Sequence, residues 1–206
     1  MSSSPDRLVA ALKERIRDTR VLEAIRDVPR QAFVPPELRA RAWEDTSLPI
    51  GSGQTMSQPL VVARMCELLE LRPRDRVLDV GVGSGYHAAV LSRLAGEVVG
   101  VERHAALASM ATERLAKLGL GTVVTVRVAP DGVYGASDLA PFDAINVAAA
   151  CEAVPAALEA QLAPGGRLVA PVGPPDGQRL TLVRRSADGA SLTRERHDAV
   201  RFVPLR

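Results

Sequence analysis

The chain predicts an α/β fold in which a mostly parallel sheet is covered by helices on both faces. From residue 76 onward, short apolar segments alternate with helical ones, the rhythm of successive βαβ units. The first of these segments runs straight into the turn Gly81-Val82-Gly83-Ser84-Gly85, with glycine at alternate positions. The length of 206 residues, with 47% hydrophobic and 24% charged side chains, suits one domain with a sizeable core.

The elements follow in order. Leu8, Val9, Leu12 and Ile16 have helical spacing, and a second helix carrying Val21, Leu22 and Ile25 stops before Pro29. Phe33-Val34-Pro35-Pro36 breaks regular structure, and residues 41–59 read as a long irregular segment rich in Gly, Pro, Ser and Thr. A loop of that length points to function rather than mere connection. Helical periodicity resumes from Leu60 to Leu69. Strands are expected at 76–80, 97–101, 123–128, 143–147, 167–171 and 179–184, with a last one near 199–203. Helices are expected at 86–95, 105–118 and 154–162, with Gly119 and Gly165-Gly166 where C-caps belong. Residues 1–206 read as a single domain, of which residues 1–75 form an N-terminal helical and loop extension over the cofactor edge.

Composition narrows the partners. A net charge of +2 and 3% aromatic residues provide no aromatic-basic platform, so nucleic acid is not an expected partner. The arginines of the last stretch, from Arg179 to Arg206, read as a solvated surface. No apolar run approaches the roughly 20 residues needed to span a bilayer, and the polar, then amphipathic start does not resemble a secretory signal. Cys66 and Cys151 sit among apolar residues, as free thiols do in a reducing cytoplasm. His87, His104 and His197 are scattered, and no metal site is expected.

The glycine turn reads as a nucleotide-type cofactor site, because only glycine turns the backbone this tightly and lets a ligand approach without Cβ obstruction. Its residues Gly81, Gly83, Ser84 and Gly85 are candidate cofactor contacts. Asp79, at the exit of the first strand, is placed to orient the loop or a cofactor amine, or is a turn residue. Glu102, followed by Arg103, ends the second strand 17 residues after Gly85, where a carboxylate accepts ribose hydroxyls. Asp131-Gly132 ends the third strand; Asp131 either accepts an adenine amine or serves a simple turn. The spacing is G-x-G-x-G, and no Walker lysine or second glycine cradle marks a pyrophosphate. S-adenosyl-L-methionine is therefore preferred over a dinucleotide, with S-adenosyl-L-homocysteine as its product.

Gly53-Gln54-Thr55-Met56-Ser57-Gln58-Pro59 precedes a helix and concentrates small donors suited to a carboxylate. Ser57 has a second reading, as the cap of that helix.

At this point a resemblance becomes specific. The strings VLEAIRDVPRQAFVP, EDTSLPIGSGQTMSQP, VLDVGVGSGYHAAVL, VVGVER, PDGVYG, FDAINVAAACEAVP, LAPGGRLVAPVG and RFVPL are similar to those of the protein-L-isoaspartate O-methyltransferase family over nearly the whole chain. The resemblance implies a Rossmann-like, seven-stranded SAM-dependent methyltransferase fold with the N-terminal segment over a substrate groove. It implies that Ser57 lies beside the isoaspartyl carboxylate and the reactive methyl, and that Glu102 and Asp131 address ribose and adenine. Gln54, Thr55 and Met56, together with Arg201, Phe202 and Val203, are then substrate contacts. The implied partners are isoaspartyl proteins or peptides, met by a cytoplasmic monomer. The chain departs from the family pattern at Pro130, where a glycine is usual, and at Ala148-Ala149-Ala150-Cys151-Glu152, where a hydroxyl is lost and a carboxylate appears. Those departures keep one rival open, methylation of aspartate in a dedicated natural-product precursor peptide; a rival of a different class is a noncatalytic SAM-binding regulatory module.

Overall fold

The computed structural model describes residues 4–206. Two helices open it. In α1 (Pro5–Leu12) the Ser4 hydroxyl accepts from the Arg7 amide at 3.3 Å, and in α2 (Thr19–Asp27) the Asp18 carboxylate accepts from the Arg20 amide at 2.9 Å. Both caps satisfy amides that a helix start leaves without partners. Two short 3₁₀ turns follow, and then a hairpin of β1 (Leu48–Gly51) and β2 (Gln54–Met56) rises inside the segment expected to be irregular. Its turn needs three consecutive left-handed residues, Gly51, Ser52 and Gly53, which a pattern search for strands does not detect. Helix α3 (Pro59–Leu69) leads to the sheet.

The sheet comprises β3 (Arg76–Val80), β4 (Glu97–Glu102), β5 (Val124–Val128), β6 (Phe142–Val147), β7 (Leu162–Val172), β8 (Arg179–Arg185) and β9 (Leu192–Ala199). Their spatial order is β5-β4-β3-β6-β7-β8-β9. The first five in sequence pair in parallel, and β8 and β9 add antiparallel at one edge. Connections run outward from β3 toward β5 and then restart at β6, so β3 and β6 flank a crevice at their carboxyl ends. Ligands of such sheets bind at that reversal.

Side chains on each strand alternate between two cores, as the strand period requires. Val77, Val98, Ala144 and Val169 face α1, α2, α3, α4 (Tyr86–Leu91) and α5 (Ala105–Lys117). Leu78, Val99, Ile145 and Leu168 face the other way, toward α6 (Ala156–Glu159), Ala136 and the terminal Leu205. Helices thus cover both faces, unequally. The N-terminal helices share the first core with the sheet.

Several boundaries differ from those expected: α1 stops at Leu12, short of Ile16, and β7 begins at Leu162 rather than 167, so Gly165-Gly166 lies in a strand and not at a helix C-cap. The helix from residue 86 ends at Leu91, because the chain tightens into turns at Arg93 and Leu94. The helix expected at 154–162 is a single turn, since Leu162 already pairs with Phe142 in the sheet. The last strand lies at 192–199 rather than 199–203. Its register with β8 is set by the Asp188-Gly189 turn, and its exposed charged residues hide the alternation, as is usual at a sheet edge. Among the described residues, no helix is long and apolar enough to cross a membrane.

Candidate active site

The carboxyl ends of β3, β4 and β6 open into a cavity walled by Val80, Gly81, Gly83, Glu102, Arg103, Tyr134, Ala148 and the terminal segment. The backbone is left-handed at Gly81, Gly83 and Gly85, with φ of 87°, 54° and 92°. The three glycines are not equivalent. A Cβ on Gly85 would stand 3.3 Å from the Ala111 methyl and 3.5 Å from the Phe33 ring, so this residue lets α5 pack against the turn. Gly81 and Gly83 line the cavity, and Gly85 does not. Ser84 is also turned inward, its hydroxyl accepting from the Tyr86 amide at 3.3 Å.

Glu102 is 6% exposed. One carboxylate oxygen accepts from the Gly83 amide and the other from the His104 amide, both at 2.9 Å. Each oxygen keeps a lone pair free to accept from a diol, and the carboxylate ties the glycine turn to the end of β4. Asp131 stands differently. Its side chain is 67% exposed, it does not line the cavity, and it pairs with Arg103 at 3.1 Å on the rim. Gly132, with φ of 81°, completes that turn.

Asp79 is fully buried one residue behind the cavity wall. Asn146 on β6 donates through Nδ2 to Asp79 Oδ1 at 2.7 Å and to His87 Nδ1 at 3.2 Å, and His87 Nε2 lies 3.6 Å from Cys66 Sγ. Accepting at Nδ1 leaves the proton on Nε2, facing the thiol. Burial pushes the Asp79 carboxyl up to about 7, burial takes the His87 imidazole down to about 3, and burial raises the Cys66 thiol further out of reach of ionisation. Asp79 Oδ2 has no partner, an orphaned acceptor beside a cavity. The half-used acceptors of Glu102 suit a ligand that carries a diol. S-adenosyl-L-methionine carries one on its ribose, and the residues present fit it.

The loop before α3 supplies the facing wall. Met56 is buried, whereas Gln54 and Thr55 line the cofactor cavity. Ser57 lines a second cavity of about 460 Å³ with Thr55, Gln58, Ala148, Arg201, Phe202 and Val203. A narrow gap joins the two, bounded by Thr55, Ser57, Gly81, Gly83 and Ala148. Thr55 and Ala148 line both cavities and the gap, so the two cavities share a wall there. Ser57 does not cap α3. Asp45 does, accepting from the Leu60 amide at 2.8 Å and from Gln58 Nε2 at 2.9 Å, and the Ser57 hydroxyl is without a hydrogen bond among the described residues.

Arg201, Phe202 and Val203 gain their position from a residue the sequence did not single out. Gln178 accepts from the Phe202 amide at 2.6 Å and donates to its carbonyl at 3.2 Å. The Ala150 amide donates to the Val203 carbonyl, holding the segment along the exit of β6. Glu152 is exposed and lines none of these cavities. Nothing in the sequence marks Asn146, Asp45 or Gln178, and His87 stands there only as one of three scattered histidines; lone polar residues carry no periodic signal. Among the described residues, no group of three His, Cys, Asp or Glu side chains is gathered as for a metal.

A seven-stranded sheet with this switch-point cavity, glycine turn and second-strand carboxylate defines a SAM-dependent methyltransferase. The protein-L-isoaspartate(D-aspartate) O-methyltransferase family model matches residues 3–206, and the chain belongs to that family. It is 55% identical over 191 residues to a Methylorubrum extorquens protein-L-isoaspartate O-methyltransferase, covering 92% of this chain and 82% of that one. Two solved structures superpose with TM-scores of 0.83. One, described as a protein-L-isoaspartate O-methyltransferase, is 28% identical; the match covers 97% of this chain but only 65% of the other. The second, from Plasmodium falciparum and described as a protein-L-isoaspartate O-methyltransferase in complex with S-adenosyl-L-homocysteine, is 26% identical and matches over 99% of both chains.

Proposed function

We propose that this chain transfers a methyl group from S-adenosyl-L-methionine to the α-carboxylate of L-isoaspartyl residues in damaged proteins or peptides. The observation that carries this reading is the common wall of Thr55 and Ala148, which brings the Ser57 cavity onto the glycine-turn cavity. S-adenosyl-L-methionine supplies, when bound, a sulfonium methyl open to attack by oxygen.

The chain's own residues bind and align. Glu102 takes the ribose hydroxyls, Gly81 and Gly83 admit the cofactor against bare backbone, and Arg103 with Asp131-Gly132 borders the adenine side. Asp79 acts from behind the turn, with Ser84 and Gly85 fixing the turn's shape. Ser57 aims the substrate carboxylate, Gln54, Thr55 and Met56 shape the loop around it, and Arg201, Phe202 and Val203 hold the peptide backbone. A carboxylate of reference pKa about 4 is already ionised at neutral pH, so no general base is needed. Rate then comes from alignment and from excluding water in the gap. The neighbouring amide nitrogen attacks the ester carbonyl, gives up its proton and expels methanol, closing a succinimide whose hydrolysis returns part of the material to the normal linkage.

The same reading treats residues 1–206 as one methyltransferase domain in which residues 1–75 form the substrate-loop extension, supported by the core that α1, α2 and α3 share with the sheet. It places a monomer in the cytoplasm, acting on protein rather than nucleic acid, supported by two unpaired cysteines and the weak net charge. Methylation of a matched isoaspartyl and aspartyl peptide pair tests the function. Base-labile methyl incorporation confined to the isoaspartyl member is expected; equal labelling of both would move the reading to an aspartate methyltransferase, and binding without turnover to a noncatalytic module.

A further inference from the structure

Arg30 is fully buried, and among the described residues no carboxylate lies at ion-pair distance from it. Its guanidinium is held by backbone carbonyls alone. Nη1 donates to Ala42 and to Glu44, the latter at 3.0 Å, and Nη2 donates to Thr46 at 2.8 Å and to Ser57 at 3.1 Å. The guanidinium carbon lies 5.6 Å from the ring centroid of Tyr86, the first residue of α4 and the neighbour of Gly85. Burial lowers its pKa to about 10, which still leaves it charged at neutral pH. A buried cation is costly, and an apolar side chain often serves stability as well or better. What an apolar side chain cannot do is bind four carbonyls from two separate stretches of chain in one plane.

We infer that Arg30 is a positioning residue for methyl transfer, fixing the backbone of Ser57 and of residues 42–46 against the helix that follows the glycine turn. The guanidinium joins the substrate loop to the cofactor half of the site without touching either ligand. Asp45, inside the segment Arg30 holds, caps α3 and binds Gln58, so the same segment secures the chain on the far side of Ser57. The role given to Ser57 rests on the function proposed above.

The chain contains a single tryptophan, Trp43, between two of the residues whose carbonyls Arg30 binds, so its fluorescence reports on this segment independently of turnover. The test compares the parent with Arg30→Lys and Arg30→Met in acrylamide quenching of Trp43, in calorimetric binding of S-adenosyl-L-methionine, and in kinetics on an isoaspartyl peptide. Expected in Arg30→Met are increased quenching, cofactor affinity within about threefold of the parent, and kcat/KM lower by about tenfold or more, the scale of a lost charge-assisted hydrogen bond. Arg30→Lys, which restores charge but only part of the fork, should fall between; if Arg30→Met does not fold, Arg30→Lys alone carries the comparison. Adding Ser57→Ala to either variant should cost less than in the parent, because both changes remove one arrangement. Unchanged quenching, or kinetic losses that simply multiply, overturns the inference. A parent that leaves isoaspartyl peptides unmethylated overturns the proposed function instead, and the Trp43 measurement still decides whether Arg30 fixes the segment.

Discussion

Asn146 on β6 donates to Asp79 on β3 at 2.7 Å, across neighbouring strands and beneath the glycine turn. Residues 79 and 146 are paired in register, so the parallel ladder itself puts the amide beside the carboxyl. With both side chains fully buried, the pair is sealed from water and holds the floor of the cofactor cavity.

This burial sets a pH dependence. Asp79 is pushed up to about 7 in the folded chain, against about 4 when unfolded. The folded chain therefore binds the extra proton between those values, and the stability this contributes is lost as pH rises through about 7. Asp79→Asn has no proton to lose, so its stability relative to the parent should rise between about pH 5 and about pH 8, by at most about 3 kcal/mol. Urea unfolding at both pH values checks this; a constant difference contradicts it. His87, lowered to about 3, acts in the opposite sense, with stability falling as pH drops below about 6.5.

Glu102 in the cavity and Asp131 on its rim should separate in binding. Glu102 is buried and bonded to the turn, whereas Asp131 is exposed on the rim. Glu102→Ala should weaken S-adenosyl-L-methionine by about tenfold or more, since charge-assisted bonds in a buried site are lost. Asp131→Ala should weaken it by about fivefold at most, the range of an exposed pair. Calorimetry on both variants decides, and equal losses would argue against the ribose role of Glu102.

Capping of α3 falls to Asp45, which leaves Ser57 free for the substrate role proposed above. Asp45→Ala should cost about 1 kcal/mol of stability, because the Leu60 amide loses its acceptor. Ser57→Ala should leave the melting temperature nearly unchanged and lower kcat while sparing cofactor affinity. A destabilised Ser57→Ala with normal turnover would return Ser57 to a structural role.

Ion pairs should sort by burial. Arg167 binds Asp75 and the carbonyls of Leu69 and Glu70 in a buried cluster that joins α3 to the sheet. Removing one member of a buried pair costs about 3–5 kcal/mol, so Asp75→Ala should unfold the chain at markedly lower urea. Asp138→Ala, which breaks an exposed pair with Arg127, should cost about 1 kcal/mol at most.

Sequence alone determined the alternation that makes a mostly parallel sheet, the glycine turn and the carboxylate at Glu102, because each is a local pattern written in neighbouring residues. It also placed Ser57 in a loop beside a helix, but left two roles open. Tertiary structure removed the capping role by bringing in Asp45, 12 residues earlier, as the cap. Only the folded chain assembled Asp79, Asn146, His87 and Cys66, or joined Arg30 to Ser57, because those contacts link residues with no common period. It also moved the last strand to 192–199 and left 201–203 free to line the Ser57 cavity, held by Gln178. Periodicity records what each segment buries; which polar groups meet once buried depends on strand order and register, which no single segment contains.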